Sequence, residues 1–320
     1  MLMPWLLSGL GLVILLLAGD ALVKGAVNLS LRLGVPALIV SLTIVAFGTS
    51  APELLISVKA ILDNAPGLAL GNVVGSNTAN VLLVLGIPAL LATMHTSECS
   101  TRKTYNFMLA ASALFILLAF RGVFDWIASI ILLGALGYVL YDAFGDAKDH
   151  RHACRNAAET DPDDLEGADP DMAGWQIGMF LVLGLIGLPL GAGLLVDNAT
   201  IIAQAYGVSD TVIGLTLVAV GTSLPELATT VMAALRRQAD VALGNVIGSN
   251  MFNLLAIIGI AGFVGPIAVD PSFLRFDLWV MLAASLLLIP FVYLKQDITR
   301  MWGIALSALY ALYLFVVLTY

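Results

Sequence analysis

The 320-residue sequence predicts an all-α polytopic membrane protein of ten transmembrane helices, arranged as an inverted five-plus-five repeat with broken core helices. Three observations predict it. The chain is 60% hydrophobic and only 11% charged, with a mean hydropathy of +0.99. Soluble domains carry roughly 25% charged residues, so long and closely spaced apolar runs of this kind belong in a bilayer. Residues 45–86 and 218–259 align without a gap at an offset of 173, with 22 of 42 positions identical. Lysine and arginine also concentrate in alternate loops, which fixes the sense of threading.

Hydropathy places the spans at about 5–28, 35–61, 66–92, 103–121, 124–144, 174–203, 209–235, 239–266, 277–294 and 300–319. The first begins at Trp5 with no basic stretch before it and no small-residue cleavage site, so it reads as a retained helix, not a signal peptide. Spans two and three carry the first copy of the repeated segment; spans seven and eight carry the second. The repeat reaches further back, because Gly11, Leu12, Leu22, Val23, Ala26, Gly34, Val35 and Thr43 recur as Gly184, Leu185, Leu195, Val196, Ala199, Gly207, Val208 and Thr216. Between spans five and six, 145–173 is too polar to cross and rich in turn formers. The units are therefore 1–144 and 174–320, joined by an acidic linker, 145–173. Nine acids and three bases between Asp146 and Met172 account for most of the net charge of −8.

With the N-terminus outside, the inner loops hold Lys24, Arg32, Arg102, Lys103, Lys148, Arg151, Arg155, Arg236, Arg237, Lys295 and Arg300, and the outer loops only Lys59, Arg121 and Arg275. Both termini are then outside a cell (inner) membrane and the linker is cytoplasmic. Five is odd, so the second unit enters in the opposite sense, and the repeated signatures meet at mid-membrane.

Those signatures carry the chemistry. In GTSAPEL, 48–54, Pro52 has no N–H, so the carbonyl of Gly48 loses its helical donor and the helix breaks. Thr49 and Ser50 add hydroxyls and main-chain oxygens beside the Glu53 carboxylate. Gly221, Thr222, Ser223, Pro225 and Glu226 repeat the arrangement. Calcium takes six to eight hard oxygen ligands, which two glutamates and freed carbonyls suit, and no Cys or His lies in either signature to favour zinc or copper. In the second signature, Ser76 and Asn80, and Ser249 and Asn253, are spaced i, i+4 on one helix face and offer neutral oxygens suited to sodium. Two glutamates would be neutralised by one Ca²⁺ or two Na⁺; a third Na⁺ leaves +1.

Plainer roles exist for most of these residues. Gly71 and Gly75, and Gly244 and Gly248, permit close helix packing. A proline kinks, and Ser or Thr bonds back to its own helix. Asn72, Asn77, Asn245 and Asn250 can hold backbone at the breaks. For Glu53 and Glu226 no such role offers itself, since an intramembrane acid with no neighbouring base is a functional candidate by default. Asp20 and Lys24 read as a local i, i+4 ion pair. The stretch 161–171 resembles a calcium loop in composition alone, with Leu165 where a ligand should stand, and reads as a solvated linker. Cys99 and Cys154 show neither ligand spacing nor a disulfide framework.

The duplicated GTSxPEL and GNxxGSNxxN segments resemble the α-repeats of the calcium/cation antiporter superfamily, above all its prokaryotic sodium/calcium exchanger branch, over essentially the whole chain. The resemblance implies a core of helices two, three, seven and eight, across which the long helices one and six slide. It also implies a calcium site of Glu53, Glu226 and the carbonyls of Thr49 and Thr222, with sodium sites adding Ala46, Ser50, Ser76, Asn80, Ala219, Ser223, Ser249 and Asn253. One position departs: such relatives carry Asp where this chain has Asn253, so its core is symmetric and has one fewer titratable group. The linker is too short for the calcium-sensing domains of eukaryotic exchangers.

The expectation is a secondary antiporter exchanging Ca²⁺ for Na⁺, with Ca²⁺/H⁺ or K⁺-dependent exchange on the same fold as the alternative. It has no cofactor beyond the transported ions. The bilayer is its environment, and neither nucleic acid nor an obligate protein partner is expected. A channel would gather acids by oligomeric symmetry and has no need of two broken helices. An intramembrane enzyme would need a nucleophile–base set or metal ligands, whereas His95, His150 and His152 all fall in predicted loops.

Overall fold

The computed structural model describes residues 2–96, 101–156, 169, 171–207 and 219–319. Its elements are α1 (Leu2–Leu33), α2 (Ala37–Thr49), α3 (Ala51–Leu62), α4 (Pro66–Leu91), α5 (Arg102–Ala119), α6 (Trp126–Asn156), α7 (Gly174–Ala205), α8 (Ala219–Thr222), α9 (Leu224–Leu235), α10 (Ala239–Val264), α11 (Phe273–Val292) and α12 (Arg300–Thr319). Among the described residues seven helices are long and apolar enough to cross a bilayer, and the α2–α3 pair makes an eighth if its 42° bend lies within one span. Leucines and aromatics on the outer faces of α1, α6 and α7 are exposed, among them Trp5, Leu17, Tyr141, Phe144 and Trp175. Apolar surface on this scale is stable only against lipid. The chain is a multi-pass helical membrane protein.

The breaks fall where proline dictates. Ser50, at φ −85° and ψ 3°, separates α2 from α3, and Pro52 opens the new helix. Ser223, at φ −88° and ψ 4°, separates α8 from α9 in the same way, with Pro225 next. The repetition extends to the turns. The residues with positive φ among those described are Gly34, Asn64, Gly122, Gly207, Arg237 and Lys295, and they form three pairs at the offset of 173.

Helices α4 and α10 form the centre: 78% and 89% of their most apolar stretch is buried, against 33% for α1 and 22% for α7. The 32-residue α1 and α7 pack along each other at backbone distance. A Cβ on Gly11 would lie 2.6 Å from the Leu195 nitrogen, and one on Gly184 would lie 2.6 Å from Leu22 Cβ. These contacts are reciprocal, since Gly184 and Leu195 are Gly11 and Leu22 shifted by 173. Gly244 and Gly248 do admit a close neighbour: a Cβ on Gly248 would lie 2.6 Å from the carbonyl of Leu42 and from Ala46 Cβ in α2.

The loops sort into two ends. At one, Met94 pairs with Ile298, Arg102 donates to the carbonyl of Tyr293 at 3.0 Å, and Lys103 bridges Asp142 and Asp146 at 2.6 and 2.7 Å. At the other, a two-residue antiparallel ladder pairs Val123 with Ala268 and Phe124 with Ile267.

Three expectations need correction. Asp20 does not pair with Lys24; it meets Arg236 Nε at 2.5 Å, while the Lys24 ammonium sits 4.7 Å over the Phe180 ring. Helix α6 does not end at 144 but continues to Asn156, so the first part of the acidic stretch is helical. The span expected at 277–294 begins earlier and loosens into turns at Phe276 and at Leu287–Leu288. Cys99, the side chain of Cys154, Thr216 and most of 161–171 lie outside the described residues.

Candidate ion-binding site

Glu53 and Glu226 stand in the first turns of α3 and α9, immediately after the breaks, and both are fully buried. Neither Glu53 oxygen, nor Glu226 Oε2, accepts a hydrogen bond among the described residues. Glu226 Oε1 accepts one from Ser50 Oγ at 3.2 Å, so the break of one half serves the acid of the other.

Most of the other polar residues of the signatures are buried as well. Thr49, Ser50, Ser223, Ser76, Asn80, Ser249 and Asn253 are all buried. Thr49 ends α2 and Thr222 ends α8, where last-turn carbonyls lose their intrahelical partners. Thr49 Oγ1 lies 3.3 Å from Asn245 Oδ1 and 3.4 Å from Ser249 Oγ, which ties α2 to α10. Thr222 makes contacts of its own, and Ala219 begins α8. The carbonyl of Ala46 already accepts from the Ser50 amide at 3.0 Å and the Thr49 hydroxyl at 3.3 Å. The Thr49 hydroxyl has one proton, so it serves either this carbonyl or Asn245 Oδ1 at a time.

Four asparagines link the helices. Asn72 Nδ2 donates to the Glu53 carbonyl at 3.2 Å and to Ser57 Oγ at 3.1 Å. Asn245 Nδ2 does the same to the Glu226 carbonyl at 3.3 Å and Thr230 Oγ1 at 3.1 Å. Asn77 and Asn80 donate to the main-chain and side-chain oxygens of Asn250, each at 3.1 Å, joining α4 to α10. Ser57 and Thr230 do not stand out in the sequence. The available signal is their position, four residues after each glutamate and 173 apart.

Among the described residues of these signatures, the unpaired atoms are mostly oxygen: Asn77 Oδ1, Asn80 Oδ1, Ser223 Oγ, Asn253 Oδ1 and three glutamate oxygens, beside Asn253 Nδ2. A buried acceptor without a donor costs about 1–3 kcal/mol. Hard oxygen donors around two carboxylates suit a hard cation. Among the described residues, no three His, Cys, Asp or Glu side chains gather into a group that could hold a metal ion.

Comparison with known proteins yields three findings. The family profile described as sodium/calcium exchanger protein matches residues 3–144 and 176–319. The sodium/calcium exchanger MaX1 of Methanosarcina acetivorans is 36% identical, covering 96% of each chain, and the inner membrane protein YrbG of Escherichia coli is 33% identical, covering 90% of this chain and 88% of its own. Among solved structures, the sodium-calcium exchanger NCX_Mj superposes with a TM-score of 0.81 at 31% identity, over 97% of this chain and 96% of that one.

Proposed function

Starting from a chain that belongs to the sodium/calcium exchanger protein family, we propose a secondary antiporter that moves Ca²⁺ against Na⁺ by alternating access around Glu53 and Glu226. The observation that carries this reading is the pair of buried carboxylates, each at the start of a helix that follows a proline break, with three of their four side-chain oxygens unpaired among the described residues. In this reading Ca²⁺ is held by Glu53, Glu226 and the carbonyls of Thr49 and Thr222. Sodium uses the same acids with Ser50, Ser76, Asn80, Ser223, Ser249 and Asn253, and with Ala46 and Ala219 through their carbonyls. The ten spans form two inverted units, which the paired positive-φ turns and the reciprocal α1–α7 contacts support. Both termini lie outside, and the 145–173 linker lies in the cytoplasm.

Sodium is favoured over protons as the counter-ion by the neutral hydroxyls and amides, which proton transfer at two acids does not require. The name of MaX1 points the same way. Radioactive calcium uptake into Na⁺-loaded proteoliposomes diluted into Na⁺-free buffer tests it, with K⁺-loaded and pH-gradient controls. Uptake that requires internal Na⁺ supports the reading, and a response to clamped voltage gives more than two Na⁺ per Ca²⁺. Uptake that follows the pH gradient and ignores Na⁺ replaces it with Ca²⁺/H⁺ exchange.

A further inference from the structure

Asn72, Ser76 and Asn80 follow at steps of four residues along α4, and Asn245, Ser249 and Asn253 do so along α10. Each set forms a stripe on one helix face. The upper two rungs of each stripe are ligands in the proposed site; the first rung does something different. One amide nitrogen, which has two protons to give, spans a full turn of the glutamate-bearing helix. It meets the glutamate's main-chain oxygen and the hydroxyl four residues on, at 3.2 and 3.1 Å in α3 and at 3.3 and 3.1 Å in α9. Ser57, Thr230 and Asn245 are fully buried, so water does not substitute for these bonds.

We propose that Asn72 with Ser57, and Asn245 with Thr230, are positioning pairs that fix the height of each Ser/Asn stripe relative to the carboxylate it works with. A slip of α4 or α10 by one helical turn moves the stripe ~5.4 Å, about twice a calcium–oxygen bond of ~2.3–2.6 Å. A single turn is therefore enough to dismantle the site. Asn245 reaches further than Asn72, because its Oδ1 also lies 3.3 Å from Thr49 Oγ1. It thereby holds the Glu226 turn of one half and the end of α2 in the other. An aspartate in either place keeps the shape and loses the donors; a glutamine lengthens the arm.

The proposal rests on reading Glu53 and Glu226 as calcium ligands, so its test is chosen to separate the two. Radioactive Ca²⁺/Ca²⁺ self-exchange in proteoliposomes needs neither a sodium nor a proton gradient. It is measured for the parent, Asn72→Ala, Ser57→Ala, their double variant, Asn245→Ala, Thr230→Val and their double variant, normalised to folded protein by size-exclusion chromatography. Each single variant is expected to raise the calcium KM about tenfold, the equivalent of ~1.4 kcal/mol, with the maximal rate per folded transporter unchanged. Each double variant should match its asparagine variant, since removing the asparagine already removes the bond to the hydroxyl. Thr230→Ser, which keeps the hydroxyl, should restore the KM lost in Thr230→Val. An unchanged KM with a rate that falls only with folded yield overturns the proposal, as do additive KM effects within a pair. Where an asparagine variant fails to fold, the Ser57 and Thr230 variants decide the matter by the same KM criterion. Absence of self-exchange in the parent overturns the calcium reading itself.

Discussion

Glu53 and Glu226 are both fully buried, and holding two carboxylates charged there is costly to the fold and useful only when a cation shares the space. Neutralising either therefore removes function without removing structure. Glu53→Gln or Glu226→Gln is expected to abolish calcium transport while the thermal midpoint stays level or rises, checked by uptake and by scanning the purified variants. Full transport in either variant would refute the site. Asn253 makes a second case, because neither of its amide atoms is bonded among the described residues. Asn253→Asp adds a third acid: at low pH the protonated side chain mimics the parent, and as pH rises the added charge makes calcium uptake diverge from it. A pH series on both proteins checks this. The acids are legible in the sequence because they occur twice beside Pro and Ser in apolar surroundings. Ser57 and Thr230 are not, since a lone hydroxyl in a membrane helix usually bonds back to its own turn. The partner of Asp20 is hidden because the nearby Lys24 fits the local spacing rule, whereas Arg236 is 216 residues away and meets it only through the packing of α9 on α1.

At the scale of elements, proline makes the breaks readable and hydropathy makes the ends of helices misleading. Hydropathy registers where a segment leaves the membrane, but helix formation continues through Ala, Lys and Arg in water, so α6 outruns its apolar part by twelve residues. The π-helical turns at Ser41–Val45 and Phe252–Ile257 have no signature in composition. Close packing does: glycines in the repeated segment bring α10 against α2. Gly248→Val forces a branched side chain into the Leu42 carbonyl and Ala46, a cost of ~1–3 kcal/mol or more. Gly193→Val, in a position with no neighbour within 4 Å, serves as the control, with a change below ~1 kcal/mol. Melting curves of the two variants in one detergent compare them directly; equal midpoints would contradict the packing argument.

Over the whole molecule the offset of 173 is the most telling quantity, because it recurs in sequence identities, in turn geometry and in paired hydrogen bonds. The linker is the exception to that symmetry. Its C-terminal end is fastened to α1, where Asn28 Oδ1 accepts from the Asp169 amide at 2.8 Å and Arg32 donates to the Met172 carbonyl at 3.4 Å. Replacing 157–168 by a Gly/Ser stretch of equal length keeps these ties and is expected to leave the calcium KM and maximal rate within about twofold, as read by vesicle uptake. A large loss in well-folded protein would give that segment a role in transport. The interlocked backbones of α1 and α7 have a consequence for leak. Helices whose backbones touch at Gly11, Gly184 and Gly191 resist sliding past each other, so in the proposed alternating access the two move together. Dissipation of the gradients through a doubly open passage would require the two to be pried apart along their length, and the glycines are what make that separation expensive.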